Sequence, residues 1–208
     1  DVANLEPERF VNEVLRDKCH MTALIVGHDF RFGKGARGDY GLLEWLAPTV
    51  GFRVAQMEPL LLQGERVSST AIRERILEGD LEQAERFLGR KYALAGRIGR
   101  GRGIGKTLGF PTANIMAPNS VIPPHGVYAA LARIEGDELP AAVNIGIAPT
   151  IRQEDVVVEA HLIDFVGDVS DTEIELEFHY RLRPEKKFPS RDELIAQIRA
   201  DVDFIRRY

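Results

Sequence analysis

Between Gly99 and Asn114 the chain reads Gly-Arg-Gly-Arg-Gly-Ile-Gly-Lys-Thr-Leu-Gly-Phe-Pro-Thr-Ala-Asn, with five glycines and, counting Arg97 just upstream, four cationic side chains. Gly101, Gly103 and Gly105 can expose successive backbone N–H groups in a bend, the pattern of an anion-binding nest. Lys106 adds charge that suits phosphate oxygens. Thr112 and Asn114 are neutral oxygen donors two residues apart, so an extended segment points both to one side. Together with phosphate oxygens they could grip a hard cation such as Mg²⁺. The stretch reads as a polyphosphate and metal site. A P-loop is excluded by register, because its leading glycine would fall on Arg100. Two other readings stand beside it: an RNA-binding Arg/Gly arm using Arg97, Arg100 and Arg102, and a hairpin with a solvated tip.

Other candidates are scattered along the chain. Glu159 lies mid-strand among apolar neighbours, where it is either a general base with its pKa raised by burial or an outward-facing residue on a half-buried strand. Arg183-Pro-Glu-Lys-Lys-Phe188 is either a solvated turn or a lid whose Phe188 packs on a planar ligand. Ser69, Thr70 and Arg73 open a predicted helix and could hold phosphate; capping by Ser69 or Thr70 explains the same spacing. Asn144 and Thr150 bracket a turn that either brings them to one site or makes a corner. His125 and His161 have no metal spacing to another histidine or to Cys19 and read as structural.

The elements that must position these residues fall into two patterns. Residues 1 to 57 alternate helix and strand: a helix from Pro7 to about Asp17, a buried strand at Thr22–Val26, a helix around Leu42–Leu46 and a strand at Phe52–Met57. That alternation implies a parallel sheet, and the polar turn Gly27-His-Asp-Phe-Arg-Phe-Gly33 leaves it where open α/β sheets bind ligands. A helical pair follows, with stops at Gly79 and Gly89 and a capping box at Asp80 and Gln83. From Lys91 the pattern becomes one of antiparallel strands, at 92–98, 127–134, 141–145, 156–165 and 174–180, which suggests a small closed barrel. A last helix, boxed by Ser190 and Glu193, carries the stripe Leu194, Ile198, Val202 and Ile205. The expected fold is therefore α/β plus β, with a boundary near Gly89 that gives segments 1–88 and 89–208.

Composition narrows the function classes. The 208 residues include 27 Lys and Arg against 32 Asp and Glu, a net charge of −5, so the basic loop is local and general nucleic-acid binding is not expected. No apolar run approaches a membrane span of about 20 residues. Cys19 is the only cysteine, so no internal disulfide can form and a reducing cytoplasm is the expected setting. No charged-then-apolar leader opens the chain. It opens on Asp1 rather than Met, and the expectation is that this start is a processed or imposed boundary.

Five motifs stand in one order: Thr107-Leu-Gly-Phe-Pro-Thr-Ala-Asn114, Pro124-His-Gly-Val-Tyr-Ala129, Asn144-Ile-Gly with Pro149-Thr150, Val158-Glu-Ala-His-Leu-Ile-Asp-Phe165 and Leu182-Arg-Pro-Glu-Lys-Lys-Phe188. In that order they resemble the riboflavin kinase half of the bacterial bifunctional riboflavin kinase/FMN adenylyltransferase (FAD synthetase) family, over residues 89–208. Ile104, where a more polar stretch is expected, and Val157, where the family commonly has Thr, are mild departures. Gly27–Gly33 and Val67–Arg73 resemble motifs of the family's nucleotidyltransferase domain, making 1–88 a partial Rossmann-like domain. Its H-x-G-H motif is missing: the histidines stand at 20, 28, 125, 161 and 179.

The resemblance implies phosphorylation of riboflavin to FMN by Mg-ATP, with the parent enzyme also adenylylating FMN to FAD. It implies that Thr112 and Asn114 bind Mg²⁺ and ATP phosphates and that Glu159 accepts the proton of the riboflavin 5′-hydroxyl. It further implies that the glycine loop with Lys106 holds ATP, that Arg183, Glu185 and Phe188 face riboflavin, and that Ser69, Thr70 and Arg73 touch nucleotide. The expected ligands are riboflavin, FMN and ATP, with no nucleic acid or membrane. A flavin- or nucleotide-binding module without turnover is the alternative, and it would need no base at position 159.

Overall fold

The structure, a computed structural model, describes residues 2–99, 104–118, 120–149 and 154–207. Two compact units follow one another, Asp1–Val67 and Ser68–Tyr208.

In the first unit, helix α1 (Pro7–Arg9) starts on its proline as expected. It runs on as a wider π coil over Phe10–Arg16, with the Asp17 N–H donating to the Asn12 carbonyl at 3.0 Å, where the sequence reading has one plain helix. Strands β1 (Ala23–Gly27) and β2 (Arg53–Met57) pair in parallel, Ala23 opposite Arg53. Between them α2 (Tyr40–Val50) is capped by Asp39, which accepts from the Leu42 N–H at 3.0 Å. Val11, Val26, Phe32, Leu43 and Phe52 close a small core. A two-stranded hairpin, β3 (Leu61–Leu62) and β4 (Glu65–Arg66), adds elements too short to leave a period.

The second unit opens with α3 (Ser69–Glu78) and α4 (Leu81–Leu88). The cap of α3 is Ser68, whose Oγ accepts from the Ala71 N–H at 3.1 Å, and not Ser69 or Thr70. A cap residue must keep extended backbone, and Ser68 does, at φ −149° and ψ 158°, whereas Ser69 and Thr70 are already helical. Asp80 caps α4 through the Gln83 N–H at 3.1 Å, and both helices end on left-handed glycines, Gly79 and Gly89, as expected. The amphipathic α4 buries Leu81, Ala84 and Phe87.

Six strands then close the expected barrel: β5 (Ala93–Gly99), β6 (Ala113–Met116), β7 (Gly126–Ile134), β8 (Asp137–Pro149), β9 (Glu154–Leu162) and β10 (Glu173–Arg183). Their order is β10-β5-β6-β9-β8-β7, each neighbour antiparallel. Period-two alternation builds the interior. Leu94, Ile115, Tyr128, Val143, Ala160 and Phe178 point inward and are nearly or fully buried, as is Leu81 from α4 beside them. Burying each large side chain contributes about 1.5–3 kcal/mol. One short helix, α5 (Ile104–Leu108), precedes β6. Helix α6 (Arg191–Arg207), capped by the Ser190 hydroxyl on the Glu193 N–H at 3.2 Å, lays Val202 and Ile205 on Ala129 and Ile163 outside the barrel.

Candidate active site

The strand register lines up a belt on the outer wall of the barrel. Gly99 of β5 stands opposite Asn114 of β6, Asn114 opposite Glu159 of β9, and Glu159 opposite Asn144 of β8. Asn144 stands opposite Val127 of β7, and Val127 opposite Arg183 of β10. Directly opposed residues share a face. Ala113, Ile115, Val158, Ala160, Val143 and Ile145 alternate with them and are buried inside, so the belt faces outward. Glu159 therefore points outward, yet it is half-buried, because α5, the 183–188 segment and α6 wall in this side of the barrel.

The wall encloses a cleft of about 300 Å³ bordered by Glu159, Asn144, Thr112, Phe110, Arg183 and Phe188, with Glu185 also on its rim. A second cavity, of about 390 Å³, opens beside it, bordered by Lys106, Thr112, Ala113, Ile98, Phe165 and Asp168. Thr112 belongs to both.

Local chemistry fixes this partition. A side chain at Gly105 would run into the Phe110 carbonyl and the Thr112 side chain, so glycine is needed where α5 meets the start of β6. The Phe110 N–H donates to the Gly105 carbonyl at 2.9 Å. Arg191, at the start of α6, donates to the Thr107 carbonyl. His161 Nδ1 lies 2.8 Å from the Pro111 carbonyl, which can only accept, so this nitrogen carries the proton. Its ring meets Phe110 edge-on at 5.5 Å, and the residue borders the same cleft.

On the far side, Arg183 donates to Asp201 from Nε at 3.0 Å and from Nη2 at 2.8 Å, and the Gln197 amide donates to the same carboxylate at 2.9 Å. Asp201 is 8% exposed, and among the described residues it is the charged side chain that the fold buries. The Arg183 guanidinium carbon sits 5.7 Å from the Phe188 ring centre and Lys186 Nζ 5.5 Å from it, a cationic clasp on the aromatic. The Glu185 carboxylate lies against Gly146, where any side chain would collide with it.

The structure thus gathers Gly105, Thr112, Glu159, Arg183, Glu185 and Phe188 around one cleft and sets Lys106, exposed on α5, at the neighbouring cavity. Asn114 stands beside Glu159 in register. Gly101, Gly103, Arg100, Arg102 and Thr150 lie outside the described residues. Ser69, Thr70 and Arg73 are exposed on α3 and border neither cavity. Asp201 joins the site unannounced, since a carboxylate on an amphipathic helix that also carries Asp192, Glu193 and Asp203 reads as solvated. Among the described residues no three His, Cys, Asp or Glu cluster to cage a metal. Thr112 and Asn114 are hard oxygen donors of the type Mg²⁺ takes, an ion commonly held by few protein groups with substrate phosphates and waters as the rest.

A family model described as riboflavin kinase matches residues 88–208, and one described as FAD synthetase matches residues 1–71. Bifunctional riboflavin kinase/FMN adenylyltransferases align over nearly the whole chain. That of Haemophilus influenzae is 38% identical over 96% of this chain and 65% of the relative. That of Escherichia coli K12 is 37% identical over 96% of this chain and 64% of the relative. That of Buchnera aphidicola from Schizaphis graminum is 32% identical over 99% of this chain and 67% of the relative. The chain thus spans about two thirds of the length of these relatives. A crystal structure of a Streptococcus pneumoniae protein described as a macrolide-efflux protein superposes with a TM-score of 0.78 at 26% identity, covering 99% of this chain and 66% of that one. Among the described residues no helix is long and apolar enough to cross a membrane.

Proposed function

The chain belongs to the bifunctional riboflavin kinase/FMN adenylyltransferase family, and from that premise we propose that its barrel transfers the γ-phosphoryl group of ATP to the 5′-hydroxyl of riboflavin. One observation carries the reading: two cavities share Thr112 as their common wall, with Glu159 in one and Lys106 at the other. Two reactants seated separately can meet at that edge. The Glu159 cleft, with Phe110, Phe188 and the apolar face of α6, suits a flat flavin ring, with Arg183 and Glu185 as its polar rim. The Lys106 cavity suits a nucleotide, with Lys106 and Thr112 on its wall to meet the phosphates.

Phosphoryl transfer asks for positioning and charge neutralisation more than for covalent chemistry. Lys106 offsets phosphate charge. Thr112 and Asn114 would hold Mg²⁺, which when bound withdraws charge from the transferring group. Glu159 orients the alcohol and takes its proton. Ser69, Thr70 and Arg73 belong, on this reading, to nucleotide binding for a second reaction, FMN to FAD, that the kinase site does not perform. We place the division of labour at residues 88 and 89. The riboflavin kinase match begins at 88, although compactness divides the chain earlier, after Val67. A reducing cytoplasm suits a chain whose single cysteine, Cys19, is exposed and free.

The test is to incubate the 208-residue chain with riboflavin and Mg-ATP and to separate FMN from FAD by chromatography. FMN without FAD is expected, because adenylyl transfer relies on several donors aimed at the α-phosphate and pyrophosphate, and this sequence contains no H-x-G-H. No FMN at any enzyme concentration would overturn the kinase reading. An FAD peak growing with enzyme would overturn the division of labour.

A further inference from the structure

We infer that His161 is a positioning residue for Thr112, its Nδ1–H fixing the Pro111 carbonyl and with it the threonine on the common wall of the two cavities. The inference rests on the kinase reading above and adds a residue to it. On β6 and β9, Ala113 stands opposite Ala160 and Asn114 opposite Glu159, so the antiparallel register carries on to place Thr112 across from His161. Both residues border the Glu159 cleft, and Thr112 borders the Lys106 cavity as well. His161 stands two residues after Glu159 on β9, hence on the same face of the strand. One strand thus carries both Glu159 and the group that ties down the Thr112 segment.

Backbone chemistry explains why a side chain is used there. Pro111 has no N–H to give to a ladder, and the registered pairs of β6 begin two residues later, at Ala113. The Pro111 carbonyl is met by an imidazole, with His161 Nδ1 at 2.8 Å. A carbonyl only accepts, so this bond also fixes the ring's proton on Nδ1. The segment being held is sharply bent. Gly109 takes a φ of 86°, which glycine adopts without strain, and the Phe110 N–H turns back to the Gly105 carbonyl at 2.9 Å. Arg191 holds the α5 side of that bend through the Thr107 carbonyl, and His161 holds the Thr112 side. The precision matters because a misplacement of about 1 Å between reacting groups can cost about 10²-fold in rate.

The test compares three variants of the whole chain: His161→Ala, His161→Asn and His161→Gln. All three lose the ring and its edge-on contact with Phe110. Asparagine alone can put an N–H near the place of Nδ1, because both nitrogens are bonded to Cγ; the glutamine nitrogen falls near Nε2. With riboflavin and Mg-ATP, His161→Ala should lower kcat by about 10–100-fold and raise the Mg²⁺ concentration needed for half-maximal rate. His161→Asn should recover much of both losses and His161→Gln little of either. Wild-type kcat and Mg²⁺ requirement in the alanine variant would overturn the inference. So would equal losses in the asparagine and glutamine variants, the mark of a ring that merely fills space. If the alanine variant does not keep its unfolding midpoint, the asparagine and glutamine variants decide. A readout independent of activity is long-range ¹⁵N–¹H NMR of the ligand-free chain in alkaline buffer. The imidazole signal that disappears in His161→Asn should show the Nδ1–H tautomer, and an Nε2–H tautomer would also overturn the inference. A wild-type chain that shows this tautomer but forms no FMN would instead overturn the parent reading, so the two failures are distinguishable.

Discussion

At the scale of single residues the site separates two tasks. Glu159→Gln keeps shape and hydrogen bonding but cannot take a proton, and general-base help is typically worth about 10²–10⁴ in rate. We expect kcat to fall in that range with ATP binding intact by calorimetry; a loss of binding with kcat unchanged would make Glu159 a mere contact. Thr112→Ala and Asn114→Ala should act differently, raising the Mg²⁺ concentration needed for half-maximal rate as well as lowering the rate. Thr112 and Asn114 were legible in the sequence as two oxygen donors on one side of an extended stretch, which needs only period two. Glu159 was not legible on spacing alone. Alternation correctly turns it outward, but what closes over it, α5 and the segment from Arg183 to Phe188, comes from remote parts of the chain. Asn144 stood out only as one end of a turn with two open readings, and the register of β8 on β9 is what puts it beside Glu159.

At the scale of elements, α6 and the end of β10 are joined by one buried ion pair. Arg183 and Asp201 have side chains 19% and 9% exposed. Removing one member of such a pair leaves the other charge uncompensated, at a cost of up to about 3–5 kcal/mol. Asp201→Ala should therefore lower the urea midpoint sharply, and adding Arg183→Leu should recover much of the loss. Additive losses in the double variant would mean that the pair does not couple the helix to the strand. Long periodic elements such as α6 and β10 were legible, because their apolar stripes repeat several times. Strand β6 and helix α5 were not, being four and five residues long and set among Gly99, Gly105, Gly109 and Pro111. The cap of α3 was misread by one position because Ser68, Ser69 and Thr70 are all good caps; the tie is broken by backbone geometry.

At the scale of the whole molecule, the barrel was foreseeable from its strand spacing, but its true extent was not. Leu81 of α4 packs into the barrel cluster, and Ile76, Ala84 and Phe87 are buried within the same compact unit. The seam drawn by packing, after Val67, and the seam drawn by kinship, at residue 88, are thus different seams. A gene fragment cut at the kinship seam would leave its lining behind. A chain starting at Gly89 loses Leu81 and Phe87, each worth about 1.5–3 kcal/mol when buried, while one starting at Ser68 keeps them. Expressed side by side, residues 68–208 should unfold at a clearly higher temperature than residues 89–208; equal midpoints would mean that the helical pair is ornament. If the difference appears, residues 68–88 are hereditary baggage of the barrel. Any lineage that moves this module to a new protein must then carry them along or supply another amphipathic helix in their place.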